Sequence, residues 1–239
     1  MGCSPSVSSQ QPASKINNVQ SSSDNRGTII VYGMLTSPSV QRVLATLIEK
    51  GLKYEFKLVN LRANENLTPS YLEKQPFGTI PLLEDVDGFT IYESRAICRY
   101  LEMKYKGKGT ELMPRNNPKA EGLFEQAASI ELCYFDPHAT NIGRELVLKK
   151  MRGGEPDMNQ VAEFRRDLGE NLDVYEKLLS EQSYLAGNTY TFADLFHVPL
   201  GLLLVKCGEG ELFESRPHVK QWWEKISTRQ AWKNIQAMI

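Results

Sequence analysis

Cysteine is scarce and poorly spaced for chemistry. The four thiols, Cys3, Cys98, Cys133 and Cys207, include no C-x-x-C pair, so neither a zinc site nor a disulfide framework is indicated, and a reducing compartment fits best. Histidine occurs only three times; His138 and His197 lack metal-ligand spacing and read as packed or solvated side chains, so no metal is expected. An excess of one charge is also lacking: 28 basic against 29 acidic residues leave a net charge of −1, which removes the general attraction for nucleic acid or anionic lipid. No apolar run reaches the roughly 18 residues of a spanning helix, and the N-terminus has no apolar signal core. The expectation is a cytoplasmic protein without a nucleic-acid partner.

What is present is an ordinary globular balance, 41% hydrophobic and 24% charged over 239 residues, with room for one large or two small cores. Residues 1–27 stand apart: eight serines, no aromatics and no helical period predict a disordered extension. Its first residues, MGCSPS, match the pattern for myristoylation of Gly2, with Cys3 placed for a second acyl chain. Two lipids would hold the protein peripherally on a membrane. A chance match in a Ser-rich tail, or a weak plastid transit peptide, stays open beside that reading.

From residue 28 onward strands and helices alternate. TIIVYG reads as a buried strand and Pro38 to Lys50 as an amphipathic helix stopped by Gly51. YEFKLVN reads as a second strand with Phe56 and Leu58 on its apolar side. A short helix near Pro69 to Lys74 follows, then PLLED and FTIY flank a D-G hairpin turn. Glu93 to Lys104 closes the block as a helix whose Ile97, Tyr100, Leu101 and Lys104 share one face. This order is the thioredoxin arrangement of an α/β sheet, expected over 28–105. A linker at 106–117 leads to an all-helical region, 118–239, with helices at Pro118 to Glu131 or beyond, Met158 to Ser180, Thr191 to Lys206 and Pro217 to Ser227.

Three weak signals converge on one edge of that sheet. Ser37 directly precedes Pro38, the favoured first helical residue, so its hydroxyl either caps the helix or faces outward at the positive helix tip to stabilise an anionic sulfur. Ile80-Pro81 opens a strand, where a cis bond would leave the Ile80 N–H and C=O free to pair with an extended peptide. Glu93 and Ser94 begin a helix whose free N–H groups attract a carboxylate. Thioredoxin topology brings all three together, and the ligand they suit is a peptide-like thiol.

The combination of VYG…S, RVLATLIEKGL, QPFG-x-IP-x-LED, ESRAICRYL, FDP at 135–137, YLAGNTYTFADL and WWEKIS resembles a plant phi-class glutathione transferase from about residue 28 to the end. The resemblance implies a detoxifying, dimeric enzyme that takes glutathione as co-substrate. It also implies that Ser37 activates the thiol, that Glu93 and Ser94 hold the γ-glutamyl carboxylate, and that Ile80 beside Pro81 pairs with the cysteinyl backbone. Phe77 matches an aromatic position beside the dimer contact, with packing under the proline loop as the other reading. Two positions depart from the family: Asn66 and Leu67 stand where His or Gln and then Lys hold the glycine carboxylate, and Thr79 replaces Gln. Weaker glutathione binding through Asn66 and Thr79 is expected, with Arg62 or Lys74 as compensating cations.

In the helical region, Thr191 and Asp194 form a capping box, with Tyr190 and Leu195 as its staple, so Asp194→Ala is expected to cost about 1 kcal/mol or more. Met34, Leu35, Tyr134 and Phe135 are candidate walls of an electrophile pocket between the two halves; ordinary core packing is the other reading for the aromatic pair. The expected chemistry is attack of the glutathione thiolate on a hydrophobic electrophile, or reduction of an organic hydroperoxide. The alternative is a carrier of apolar molecules such as flavonoids with little turnover, kept open by Asn66 and Leu67.

Overall fold

The structure, a computed structural model, describes residues 27–239. Gly2, Cys3 and the Ser-rich extension lie outside the described residues. Strands β1 (Ile29–Gly33), β2 (Tyr54–Leu58), β3 (Leu82–Glu84) and β4 (Thr90–Tyr92) form one sheet in the order β2-β1-β3-β4. β1 runs parallel to β2, and β3 is antiparallel to both β1 and β4. The parallel pair needs a crossover, supplied by α1 (Pro38–Glu49). Proline at its start suits α1, and Gly51 at φ 62° accepts the left-handed turn that ends it. After β2 come two 3₁₀ turns, Leu61–Ala63 and Glu65–Leu67, and the short α2 (Pro69–Leu72). α3 (Ser94–Lys104) completes a thioredoxin-like α/β half.

Two expectations within this half are corrected. Leu58 is 67% exposed, because β2 is the sheet's edge strand and Leu58 is its last residue. The buried stripe of α3 is Ile97, Cys98, Leu101 and Glu102, while Lys104 is on the surface and Tyr100 only half-buried. The reason lies on α1, where Arg42, Thr46 and Lys50 recur every four residues on a buried face. Thr46 meets Cys98 (3.1 Å) and Lys50 meets Glu102 (2.7 Å). Tyr100 and Lys104 turn instead to Asp85 in the hairpin, at 2.7 and 2.8 Å.

The second half is helical: α4 (Pro118–Ile130), α5 (Asp136–Gly143), α6 (Met158–Glu181), α7 (Phe192–Leu195), α8 (Val198–Lys206), α9 (Glu211–Glu214), α10 (Pro217–Ser227) and α11 (Gln230–Gln236). π-helical turns at Glu131–Phe135 and Arg144–Lys149 interrupt the run from α4 through α5. The helix expected over 191–206 is two helices, since Pro199 has no N–H to bond back across the break at 196–197. The capping box is present, with Thr191 and Asp194 satisfying each other's backbone. α9 and α11 are additional; α11 packs on α1, and the guanidinium of Arg229, just before it, grips Glu49 through two bonds of 2.7 Å.

A buried ion network joins the halves. Arg42 of α1 and Arg95 of α3 share Glu131 and Asp136, with Asp136 2.6 Å from each guanidinium. Five residues along a regular α-helix are about 140° apart, so Glu131 and Asp136 would face away from one another. The π-turn between them closes i→i+5 hydrogen bonds and so winds through a smaller angle per residue, which brings both carboxylates to the arginines' side.

Candidate functional site

The strand order places four connections on one edge of the sheet: the ends of β1, β2 and β4 and the start of β3. Ser37, Ile80 and Glu93–Ser94 are therefore brought together there.

Ser37 occupies the N-cap position of α1 with φ −77° and ψ 123°, yet its hydroxyl makes no capping bond. The backbone secures the turn instead: Ser37 N–H donates to Met34 O (2.9 Å), and Gln41, itself buried, donates to Leu35 O (2.8 Å). The half-buried Ser37 thus stands at the positive tip of a twelve-residue helix with a hydroxyl oxygen that accepts no capping bond.

The Ile80–Pro81 peptide is cis. Among the described residues, neither the Ile80 N–H nor its C=O takes part in a backbone hydrogen bond. The loop before it is held from below: Tyr71 Oη donates to Thr79 O (2.7 Å), Gln75 donates to the Thr79 hydroxyl, and Asn66 Nδ2 donates to Gly78 O (2.7 Å). Burial pushes the Tyr71 phenol up to about 12, so it stays a donor. Asn66 and Thr79 thus help to shape the loop, while Asn66 Oδ1 is buried without a hydrogen-bond partner. Lys74 pairs with Glu84 at 2.7 Å.

Glu93 sits at φ 68°, a conformation uncommon for a residue with a side chain, and its carboxylate is exposed. Ser94 is buried at the first position of α3. The first-turn N–H groups of Ser94, Arg95 and Ala96 have no intrahelical acceptor, and Ile97 is the first to bond back, to Glu93 O. An anion-receiving helix start therefore lies beside the Ile80 strand edge.

Of the proposed pocket walls, Met34 and Leu35 are partly exposed at the Ser37 turn. Tyr134 is 53% exposed, with its carbonyl held by Asn171 at 2.9 Å. Phe135 is not a wall: it is 1% exposed and packs on His197 and Phe213 inside the helical core. The Cys133 residue in the Glu131–Phe135 turn is exposed, whereas burial pushes the Cys98 thiol up to about 11 and leaves it inert. Among the described residues no three His, Cys, Asp or Glu side chains cluster to hold a metal ion.

The sequence reading missed Gln41, Tyr71 and Gln75, which position the Ser37 and Ile80 turns, and the Arg42–Arg95 network beneath them. A polar residue repeating at four-residue spacing, Arg42, Thr46 and Lys50, within the apolar run VQRVLATLIEK was the available signal.

Comparison with known proteins agrees with this fold. Residues 31–109 match the family model "Glutathione S-transferase, N-terminal domain", and residues 130–230 match "Glutathione S-transferase, C-terminal domain". Glutathione S-transferase PM239X14 of Arabidopsis thaliana is 46% identical over 198 residues, 82% of this chain and 90% of its own length. The crystal structure of glutathione transferase F7 from Populus trichocarpa superposes with TM-score 0.84 at 38% identity, covering 87% of this chain and 98% of that one. Maize glutathione S-transferase I, solved in complex with an atrazine glutathione conjugate, gives TM-score 0.83 at 31% identity over 89% of this chain and 98% of its own. The chain belongs to the glutathione S-transferase family, and its relatives are of the plant phi class.

Proposed function

We propose that the protein transfers glutathione to hydrophobic electrophiles, with Ser37 donating a hydrogen bond to the thiolate. The observation that carries this is the Ser37 hydroxyl, left out of helix capping, on the same sheet edge as the free Ile80 backbone and the open start of α3. A free thiol titrates near 8.5; lowering it to about 6.5 takes roughly 2.7 kcal/mol. One charge-assisted bond of about 1.5–3 kcal/mol with a helix tip of about 0.3–1 supplies that amount. The thiolate then attacks the electrophilic carbon as the leaving group departs with the bond pair. Ser37 is a donor throughout and forms no covalent bond.

In this reading residues 28–105 bind glutathione through Ser37, Ile80, Pro81, Glu93 and Ser94. Residues 106–117 link them to the helical part, 118–239, which offers Tyr134 to the electrophile opposite Met34 and Leu35. A related structure holding a glutathione conjugate favours the transferase over the carrier of apolar molecules. The test is conjugation of a chloroaromatic electrophile and reduction of cumene hydroperoxide by the parent and by Ser37→Ala. Turnover that depends on Ser37 supports the proposal; equal turnover rejects the role of Ser37, and ligand binding without turnover in the parent favours the carrier.

A homodimer is part of the proposal. Phe77 is 71% exposed and meets the Tyr92 ring edge-on at 5.9 Å, and an aromatic left this open suits a partner surface. The protein is taken as cytoplasmic, with peripheral membrane attachment if Gly2 and Cys3 are acylated. Fractionation of the parent and Gly2→Ala separates the two states.

A further inference from the structure

The order of strands fixes the order of subsites along the site edge. Read from β4 across to β2, it presents the start of α3, then Ile80, then Ser37, then the segment that follows β2. A tripeptide thiol with its γ-glutamyl carboxylate on α3, its backbone on Ile80 and its sulfur at Ser37 sends its C-terminal glycine towards that last segment.

This end of the edge has no committed cation. Residues 60–67 carry one positive side chain, Arg62, and one negative, Glu65. Glu65 is fixed with its carboxylate on Asn60 N–H (2.7 Å), whereas Arg62 is exposed and has no ion pair among the described residues. Asn66 spends its amide N–H on Gly78 O. Leu67 is 54% exposed and lies directly over the loop: its Cδ2 is 2.7 Å from where a Cβ on Gly78 would stand. Lys74 is neutralised by Glu84. A carboxylate arriving here meets the exposed side chain of Leu67, and the one positive side chain of residues 60–67, Arg62, is held towards it by no ion pair among the described residues.

We infer that the site selects its thiol by the γ-glutamyl-cysteinyl part alone, and that Leu67 makes it indifferent to the C-terminal carboxylate. The co-substrate class then widens to γ-glutamyl-cysteinyl peptides with esterified, amidated or substituted C-terminal residues. This inference rests on the proposed glutathione site.

The test compares glutathione with its glycine ethyl ester in kcat/KM for a chloroaromatic electrophile. In parallel, calorimetry gives dissociation constants for S-hexylglutathione and its glycine ethyl ester. The parent, Arg62→Ala and Leu67→Lys are measured side by side. The parent and Arg62→Ala should treat acid and ester alike to within about threefold, while Leu67→Lys should prefer the free acid by about tenfold or more, as one charge-assisted bond provides. A parent that already prefers the acid by about tenfold or more, or a preference that Arg62→Ala removes, would overturn it. Equal binding of acid and ester without turnover upholds the selectivity and strikes only the catalytic reading. Binding of neither ligand defeats the glutathione site and this inference with it.

Discussion

Glu93 pairs an unfavourable backbone with an exposed carboxylate at the mouth of the site. A side-chain-bearing residue at positive φ costs about 1–3 kcal/mol, which glycine largely avoids. Glu93→Gly should therefore raise the unfolding free energy by about 1 kcal/mol while raising KM for glutathione, measured by thermal melts and kinetics on the same preparation. Lower stability together with unchanged KM would show that the backbone is relaxed and the carboxylate idle. Farther from the site, Asp194 and His197 form an opposed titrating pair. Burial raises the Asp194 carboxyl to about 6 from its ordinary 3.8, against four donors from Leu185, Thr191 and Trp222. Burial lowers His197 to about 3 from 6.5, with Nδ1 donating to Ala193 O and Nε2 accepting from Tyr175. Alone, His197 stabilises the fold above pH 6.5 and loses that as pH falls towards 3, because only the unfolded chain takes the proton. Alone, Asp194 acts in reverse, since the folded chain takes a proton near pH 6 that the unfolded chain accepts only near 3.8. Between about pH 4 and 6 the two nearly cancel. Asp194→Asn should steepen acid destabilisation relative to the parent by up to about 1.4 kcal/mol per pH unit, and His197→Gln should reverse the sign of the difference. Urea midpoints against pH read both slopes; three parallel curves would show that neither group is coupled to folding.

At the scale of elements, α1 is the organising piece. Its N-terminus carries Ser37, its buried polar stripe meets α3 and the Glu131–Phe135 π-turn, and its C-terminal Glu49 is held by Arg229. Arg229→Met keeps the stem but leaves the nearly buried Glu49 carboxylate unmatched and removes a guanidinium 3.9 Å from the Tyr190 ring. The expected loss is about 1–2 kcal/mol in chemical denaturation, tempered by water screening at the partly exposed arginine, and Glu49→Gln in that background should restore part of it. No recovery in the double variant would mean that the ring contact, not the ion pair, carries the effect. Elements with a local signal were legible in the sequence. Pro38 and Gly51 bracket α1, the D-G pair marks the hairpin, and Thr191 with Asp194 marks a helix start. What stayed hidden depends on partners distant in sequence. The buried face of α3 follows from Thr46 and Lys50 on another helix, the exposure of Leu58 follows from the strand's edge position, and the π-turn follows from two arginines it must serve. In the proposed site, the positions of Ser37, Ile80 and Ser94 were readable because each stands where an element ends or begins, whereas Gln41 and Gln75 act through contacts no spacing announces.

For the molecule as a whole, the shared arginines join the sheet half to the helical half, and the proposed reading gives the sheet edge a peptide ligand. If Phe77 marks a contact between copies, light scattering should give twice the chain mass of 27.1 kDa, and Phe77→Glu should shift the population to monomer without unfolding it. A monomeric parent would leave that exposed ring without the proposed partner. The central claim, however, concerns one hydroxyl at a helix tip. It is tested most directly by titrating the thiol of bound glutathione through its ultraviolet thiolate absorbance, in the parent and in Ser37→Ala. The account predicts a midpoint roughly two units below the free value of about 8.5 in the parent, and a rise of about one to two units when the hydroxyl is removed. The same midpoint in both proteins would contradict it.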